Sequence, residues 1–109
     1  METRNTNHRE KHKEIYTITW EGIPITITYI ENYFAKAGVS HLSVKADEPL
    51  PLTETGYRSV WLFEGQLGGK SPVEYVIDAL NVESQAKKWI IYLKEKQLDD
   101  MEKRQLKLF

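Results

Sequence analysis

Apolar and polar residues alternate most regularly between residues 14 and 29, on both sides of the dipeptide Glu21-Gly22. A period of two is typical of a half-buried β-strand, and a two-residue connection ending in glycine is typical of a tight hairpin turn. Pairing Trp20 with Ile23 collects the large apolar side chains on one face, namely Tyr16, Ile18, Trp20, Ile23, Ile25, Ile27 and Tyr29. Ile15, Thr17, Thr19, Thr26 and Thr28 then lie on the other face. Because a slip of one residue would exchange the two faces, the sequence specifies the register of the hairpin.

Two more strands are predicted downstream of the hairpin. Residues 41 to 46 alternate, with their apolar members on one face. Residues 57 to 63 also alternate, but apolar side chains occupy both faces, which favours a central position in the sheet. Between the strands, residues 31 to 40 predict a loop with one helical turn, and the two prolines of residues 47 to 52 predict an extended crossover.

Two helices are predicted in the last third of the chain. Ser71, Pro72 and Glu74 occupy the cap, first-turn and capping-box positions of a helix over residues 72 to 80. Asn81 can cap a second, longer helix. An apolar stripe at helical spacing in that second helix is the expected lid of the hairpin face: Val82, Ala86, Trp89, Ile90 and Leu93.

These elements predict an α+β fold. We expect an antiparallel sheet of about four strands, led by the N-terminal hairpin, with two C-terminal helices packed on one face. Residues 1 to 13 are charged and lack a hydrophobic period, so they predict a disordered leader. Residues 14 to 104 then form a single α+β domain, and residues 105 to 109 form a C-terminal docking peptide.

Composition narrows the functional classes. The 109 residues contain no cysteine, and no apolar run approaches the roughly 20 residues that span a bilayer, so we expect a cytoplasmic protein without membrane contact. The net charge is −1. Residues 15 to 81 carry eight acidic residues against four basic ones, which does not favour direct binding of nucleic acid on the sheet.

The glycine-rich segment from Gly65 to Ser71 invites comparison with a phosphate-binding P-loop. Its spacing is one residue short, and Glu64 stands where the first glycine of that motif would be required. His8 and His12 are four residues apart but lack further ligands, so no metal site is predicted. No nucleophile, base and orienting group can be assembled from the spacing, so we expect neither a catalytic residue nor a cofactor.

The densest group of polar side chains surrounds Gly56. Glu54, Tyr57 and Arg58 could form a recognition surface there, with Glu54 acting as an acid, a base or a partner of Arg58. The alternative is that the neighbouring threonines shape a turn and Arg58 pairs with a nearby carboxylate. We predict a second, non-catalytic binding surface at these residues.

The C-terminal residues, Gln105-Leu106-Lys107-Leu108-Phe109, resemble the Gln-Leu-x-Leu-Phe peptide by which bacterial replication and repair proteins dock on the DNA polymerase sliding clamp. The resemblance implies that Gln105 is a polar anchor, that Leu106 and Leu108 fill apolar pockets, and that Phe109 is an aromatic plug. Lys107 falls at the variable position. Because Leu98, Met101, Gln105 and Leu108 also share a helical spacing, the alternative is a helix whose end packs on the domain.

A second resemblance covers residues 49 to 59, Gly68-Gly69 and residues 73 to 76. These segments are similar to a group of small uncharacterised proteins encoded on bacterial plasmids and integrative elements, several of which end in a similar tail. This resemblance implies a mobile-element setting and no activity. We therefore expect a small non-catalytic adaptor or accessory protein that docks on a protein partner such as the sliding clamp. The alternative is a stand-alone inhibitor or anti-defence module that binds proteins through its sheet surface.

Overall fold

A computed structural model describes residues 12–107 and shows a four-stranded antiparallel sheet followed by two helices. The strands are β1 (His12–Trp20), β2 (Ile23–Phe34), β3 (Val39–Ala46) and β4 (Tyr57–Phe63), with a short 3-10 helix at Ala35–Ala37, and the helices are α1 (Pro72–Glu83) and α2 (Lys87–Lys107). Strand order in the sheet follows chain order. The predicted α+β fold with an antiparallel sheet and two C-terminal helices is confirmed.

The N-terminal hairpin has the predicted register, but β1 begins at His12, so the predicted disordered leader is wrong for His12 and Lys13, and its other residues lie outside the described part of the chain. Trp20 pairs with Ile23, and Glu21 and Gly22 both adopt positive φ, at 50° and 79°, as a type I′ turn requires. Pro24 pairs with Thr19, and the pairing of β2 with β3 begins one residue later. Proline is tolerated at this position because the sheet needs no amide hydrogen bond from it there.

Two expectations about the strands are wrong. Residues 31 to 34, predicted as a loop, continue β2 past an irregularity at which Asn32 adopts a φ of 55° and its amide donates to Ser40 Oγ at 3.0 Å. β4, predicted as central, is an edge strand that pairs only with β3 among the described strands. Its second apolar face is exposed at Trp61 and Phe63, which lie on the side of the sheet that neither α1 nor α2 covers in the described part of the chain.

The core lies between α1 and one face of the sheet. Val76 and Leu80 of α1 are fully buried and contact the apolar cluster of the strands, whose most buried members are Ile25, Ile27, Leu42, Val44 and Leu62. α1 begins at the predicted capping box, because Ser71 Oγ accepts from the Glu74 amide at 3.1 Å and the Glu74 carboxylate accepts from the Ser71 amide at 2.9 Å. The lid of the hairpin face is therefore α1.

The prediction that α2 forms this lid is wrong. α1 extends to Glu83, so Asn81 lies inside it and does not cap the next helix. Asn81 Oδ1 instead accepts a hydrogen bond from Trp20 Nε1 at 3.0 Å, which satisfies the polar atom of a buried indole. Of the predicted stripe, Trp89 is buried, whereas Val82, Ala86, Ile90 and Leu93 are exposed.

We predict that Gly56→Ala destabilises the fold strongly. Gly56 has a φ of 83°, and a Cβ added there would lie 2.5 Å from the Ala46 carbonyl oxygen. Strain and clash together should lower the free energy of unfolding by about 2 kcal/mol or more, measured by thermal or urea denaturation. Gly22→Ala is the matched control: its φ is 79° but no atom lies within 4 Å of the added Cβ. It should cost only about 1 kcal/mol, and equal losses would contradict the role of the contact.

We also predict that Asn81→Leu destabilises the protein by about 1–3 kcal/mol, because it leaves the buried indole N–H of Trp20 without an acceptor. Urea denaturation of a double-mutant cycle with Trp20→Phe isolates this hydrogen bond. In the Trp20→Phe background, which has no N–H to satisfy, Asn81→Leu should cost much less. An unchanged cost would show that Asn81 acts through packing alone.

Candidate partner-binding surfaces

The first turns of α2 are anchored to the domain. Trp89 is 8% exposed, and its ring lies 6.3 Å from that of Trp20 and 5.0 Å from that of Tyr92. Two ion pairs join the same turns to residues 47 to 56 between β3 and β4, which we call the proline-rich loop. Lys88 pairs with Glu54, and Lys96 pairs with Glu48 at 3.0 Å. The hydrogen bond from Lys96 to the Glu48 carboxylate raises the pKa of Lys96. These contacts fix the direction in which α2 leaves the domain.

Beyond Lys96, α2 continues as an arm, which we define as residues 97 to 107. Leu98 and Met101 on this arm are 65% and 48% exposed. Within the described part of the chain, its one ion pair is internal and joins Lys103 to Asp99 at 3.2 Å. Leu98 and Met101 are therefore not buried in the way that Trp89 is. The longest dimension of the structure is 75 Å, against 26 and 18 Å for the other two.

The arm leads directly to the predicted docking peptide. Gln105 and Leu106 belong to the last turn of α2, while Leu108 and Phe109 lie outside the described residues. The alternative for this tail is a helix that continues and packs on the domain. The helix does continue as far as Lys107, but Leu98 and Met101 of its apolar stripe are exposed and not packed on the domain.

The second predicted surface is divided between the two sides of the sheet. Glu54 pairs with Lys88 on α2, and Arg58 Nη1 donates to the Leu52 carbonyl oxygen at 3.0 Å, so Glu54 is not the partner of Arg58. Tyr57 precedes Arg58 in β4 and therefore faces the opposite side, where it is exposed. The structure does not bring Glu54, Tyr57 and Arg58 together as one constellation.

The threonines beside these residues shape the turn before β4. Thr53 Oγ1 donates to the Tyr57 carbonyl oxygen at 2.9 Å and accepts from the Thr55 amide at 3.2 Å. The Gly56 carbonyl oxygen accepts from the Ala46 amide at 2.7 Å, which ties the turn to the end of β3. These polar groups are therefore engaged in holding the backbone.

The side of the sheet opposite α1, which we call the open face, carries a cluster of aromatic rings. Trp61 lies at its centre, with ring centroids 4.5 Å from His41, 5.2 Å from Tyr33 and 5.4 Å from Phe34. Phe63 belongs to the same face of β4 and is 63% exposed. We call Tyr33, Phe34, His41, Trp61 and Phe63 the ring cluster. The sequence pattern does not predict the ring cluster, because it predicts a loop at Tyr33 and Phe34.

A groove of about 870 Å³ runs between the proline-rich loop and the start of α2. Leu50, Leu52, Trp89, Ile91 and Tyr92 contribute its apolar lining, and the Glu54–Lys88 pair lies at its edge. In residues 12–107, no group of three or more histidine, aspartate or glutamate side chains is placed to hold a metal ion. No helix in this part of the chain has the length and apolar character needed to cross a bilayer.

Comparison with known proteins identifies the scaffold. No curated protein and no solved structure was found to match the chain. A family model described as the KlcB third domain matches residues 13–89, which extend from the start of β1 to Trp89, the anchor of α2, and leave the arm outside the match. The family points to a plasmid-associated accessory protein. Because the match covers more than half of the sequence, the chain belongs to the KlcB third domain family.

Proposed function

We propose that this protein is a non-catalytic adaptor of a plasmid or related mobile element, which docks on a larger protein through its C-terminal peptide. The DNA polymerase sliding clamp is the proposed partner, because the peptide resembles clamp-binding motifs. In this proposal Gln105 is the polar anchor, Leu106 and Leu108 enter apolar pockets, and Phe109 is the aromatic plug. The observation that carries the proposal is the arm, since α2 extends beyond its anchors with Leu98 and Met101 exposed.

The direction of the arm supports docking through the peptide that follows it. Residues 97 to 107 continue the helix for about 16 Å past Lys96, at 1.5 Å per residue. Because Leu98 and Met101 are exposed and do not pack on the core, we infer that the apolar side chains of the peptide are available to a partner as well. Trp89 and the two ion pairs fix the direction of α2, and none of these residues belongs to the peptide.

The polar side chains that a catalytic site would need already bond to other groups of the protein, which agrees with a non-catalytic role. Glu54 is paired with Lys88, and His41 Nε2 lies 2.5 Å from Ser59 Oγ on the opposite side of the sheet. Arg58 donates to a backbone carbonyl oxygen. These groups stabilise loops and strands and do not converge on a common cavity.

We predict that truncation after Arg104 abolishes clamp binding and leaves the fold intact. The full-length protein should bind purified bacterial sliding clamp with a micromolar Kd in isothermal titration calorimetry. The truncated protein should bind at least tenfold more weakly, because it lacks every proposed anchor. Its melting temperature should stay within about 2 °C, since even 1 kcal/mol of lost packing would shift a domain of this size by roughly 4–8 °C.

Leu98→Ser provides the matched control, because it removes an exposed apolar side chain from the arm and keeps the peptide. It should bind the clamp like the unmodified protein, and a peptide of residues 100 to 109 should compete with both. Binding that survives truncation would contradict docking through the peptide. A melting temperature several degrees lower after truncation, without any clamp binding, would show that the peptide belongs to the core.

A protein partner on the sheet surface is the competing hypothesis, and the exposed ring cluster favours it as a second candidate. An inhibitor of this kind would retain its partner after truncation and lose it when the ring cluster is altered. The truncated chain therefore separates the two functions in one measurement.

A further inference from the structure

We propose that the open face of the sheet binds single-stranded DNA, with bases stacking on Trp61 and the rings beside it. This function is separate from docking through the C-terminal peptide and lies on a different part of the molecule. Three features of the open face lead to it: exposed rings, a charge pattern that suits a polyanion, and the position of both described helices away from this face.

The ring cluster offers stacking surfaces to solvent. Trp61 is 45% exposed and Phe34 and Phe63 are more exposed still, although the mutual contacts of the cluster hold the rings at fixed angles. Tyr57 adds another exposed ring further along the same face of β4. Aromatic side chains on an open sheet are a recurrent platform for unpaired bases, because every base has a π-face.

The two faces of the sheet also differ in their charged residues. The register places these paired residues outward: Lys13, Ile15, Thr17, Thr19, Pro24, Thr26, Thr28, Ile30, Phe34, Val39, His41, Ser43, Lys45, Tyr57, Ser59, Trp61 and Phe63. None of them is acidic, although the chain contains 16 aspartate and glutamate residues. The acidic excess of residues 15 to 81 therefore lies elsewhere and does not oppose a phosphate backbone on this face.

The two lysines of the open face are available as cations. Among residues 12–107, neither Lys13 nor Lys45 forms an ion pair, whereas four lysines of the helical half are each paired with a carboxylate: Lys70, Lys88, Lys96 and Lys103. Lys13 shares a row of the sheet with Trp61, and Lys45 shares one with Tyr57. Each lysine thus shares a row with an exposed ring: Lys45 lies directly beside Tyr57, and Lys13 lies at the opposite edge of the sheet from Trp61.

The ring nitrogen beside Trp61 is not open to RNA. His41 Nε2 is hydrogen-bonded to Ser59 Oγ, and because this nitrogen makes a single hydrogen bond it has none left for a ribose 2′-hydroxyl. Recognition of RNA at a site normally uses contacts to that hydroxyl. A duplex is also disfavoured, because its bases are stacked internally and cannot reach exposed rings.

The test is fluorescence anisotropy with a labelled oligothymidylate of about 15 nucleotides, added to the full-length protein at low salt. We expect a Kd in the micromolar range and a plot of log K against log salt with a slope of about −1.4, as two neutralised phosphates on a single strand predict. Trp61→Ala should weaken binding by about 5-fold to 100-fold. Lys13→Gln combined with Lys45→Gln should bring the slope close to zero without touching the rings.

Two controls match these variants. Leu98→Ala removes an exposed apolar side chain from the arm, and Lys103→Gln removes a lysine that is paired with Asp99, so neither should change DNA binding. Circular dichroism melting confirms that each variant is folded, and the double lysine variant tests the site even if Trp61→Ala unfolds. Clamp binding by the C-terminal peptide should be unaffected by every substitution on the open face, so the two proposals fail independently.

Several results would overturn the proposal. They are no binding to oligothymidylate at low salt, equal binding by folded Trp61→Ala, and tighter binding to oligouridylate or to duplex DNA of the same length. A stable dimer in sedimentation that dissociates on Trp61→Ala would assign the open face to a second copy of the chain instead.

Discussion

The register of the first hairpin determines which face of the sheet is buried, and the rest of the molecule depends on it. Pairing of Trp20 with Ile23 across a type I′ turn sends Ile18, Ile23, Ile25 and Ile27 to the side that α1 covers. A one-residue slip would bury threonines and expose those isoleucines, at a cost that a chain of this size could not absorb. α1 covers one face, and no helix of residues 12–107 covers the other. The contacts described between α2 and the domain lie in its first turns.

Local signals made much of this fold predictable. The hairpin turn depends on two residues, and the start of α1 depends on a serine, a proline and a glutamate within four positions. Each signal acts through nearby backbone groups and needs no knowledge of the rest of the chain. For this reason the hairpin register and the beginning of α1 agree with the structure.

The errors arose where a residue serves a distant partner. Asn81 has the chemistry of a helix cap, but its acceptor oxygen satisfies the indole of Trp20, 61 positions away in sequence. β4 has the apolar pattern of a central strand but lies at the edge of the sheet. Its Trp61, on the open face, contacts Tyr33 and Phe34 of β2 across the intervening strand β3. The ring cluster and the acid-free open face appear only when the register of four strands is known. The proposed docking peptide, in contrast, is contiguous, so its resemblance to clamp-binding motifs is visible in the sequence alone.

The two proposed surfaces lie on different parts of the molecule, so one spectrum can distinguish them. The most direct test of docking through the C-terminal peptide is a titration of the isotopically labelled full-length protein with unlabelled sliding clamp, followed by amide NMR. We expect the resonances of residues 105 to 109 to shift or broaden first, with smaller changes along the arm and none on the open face. Changes centred on Trp61 and its neighbours, or no changes at all, would contradict the proposed role of the peptide.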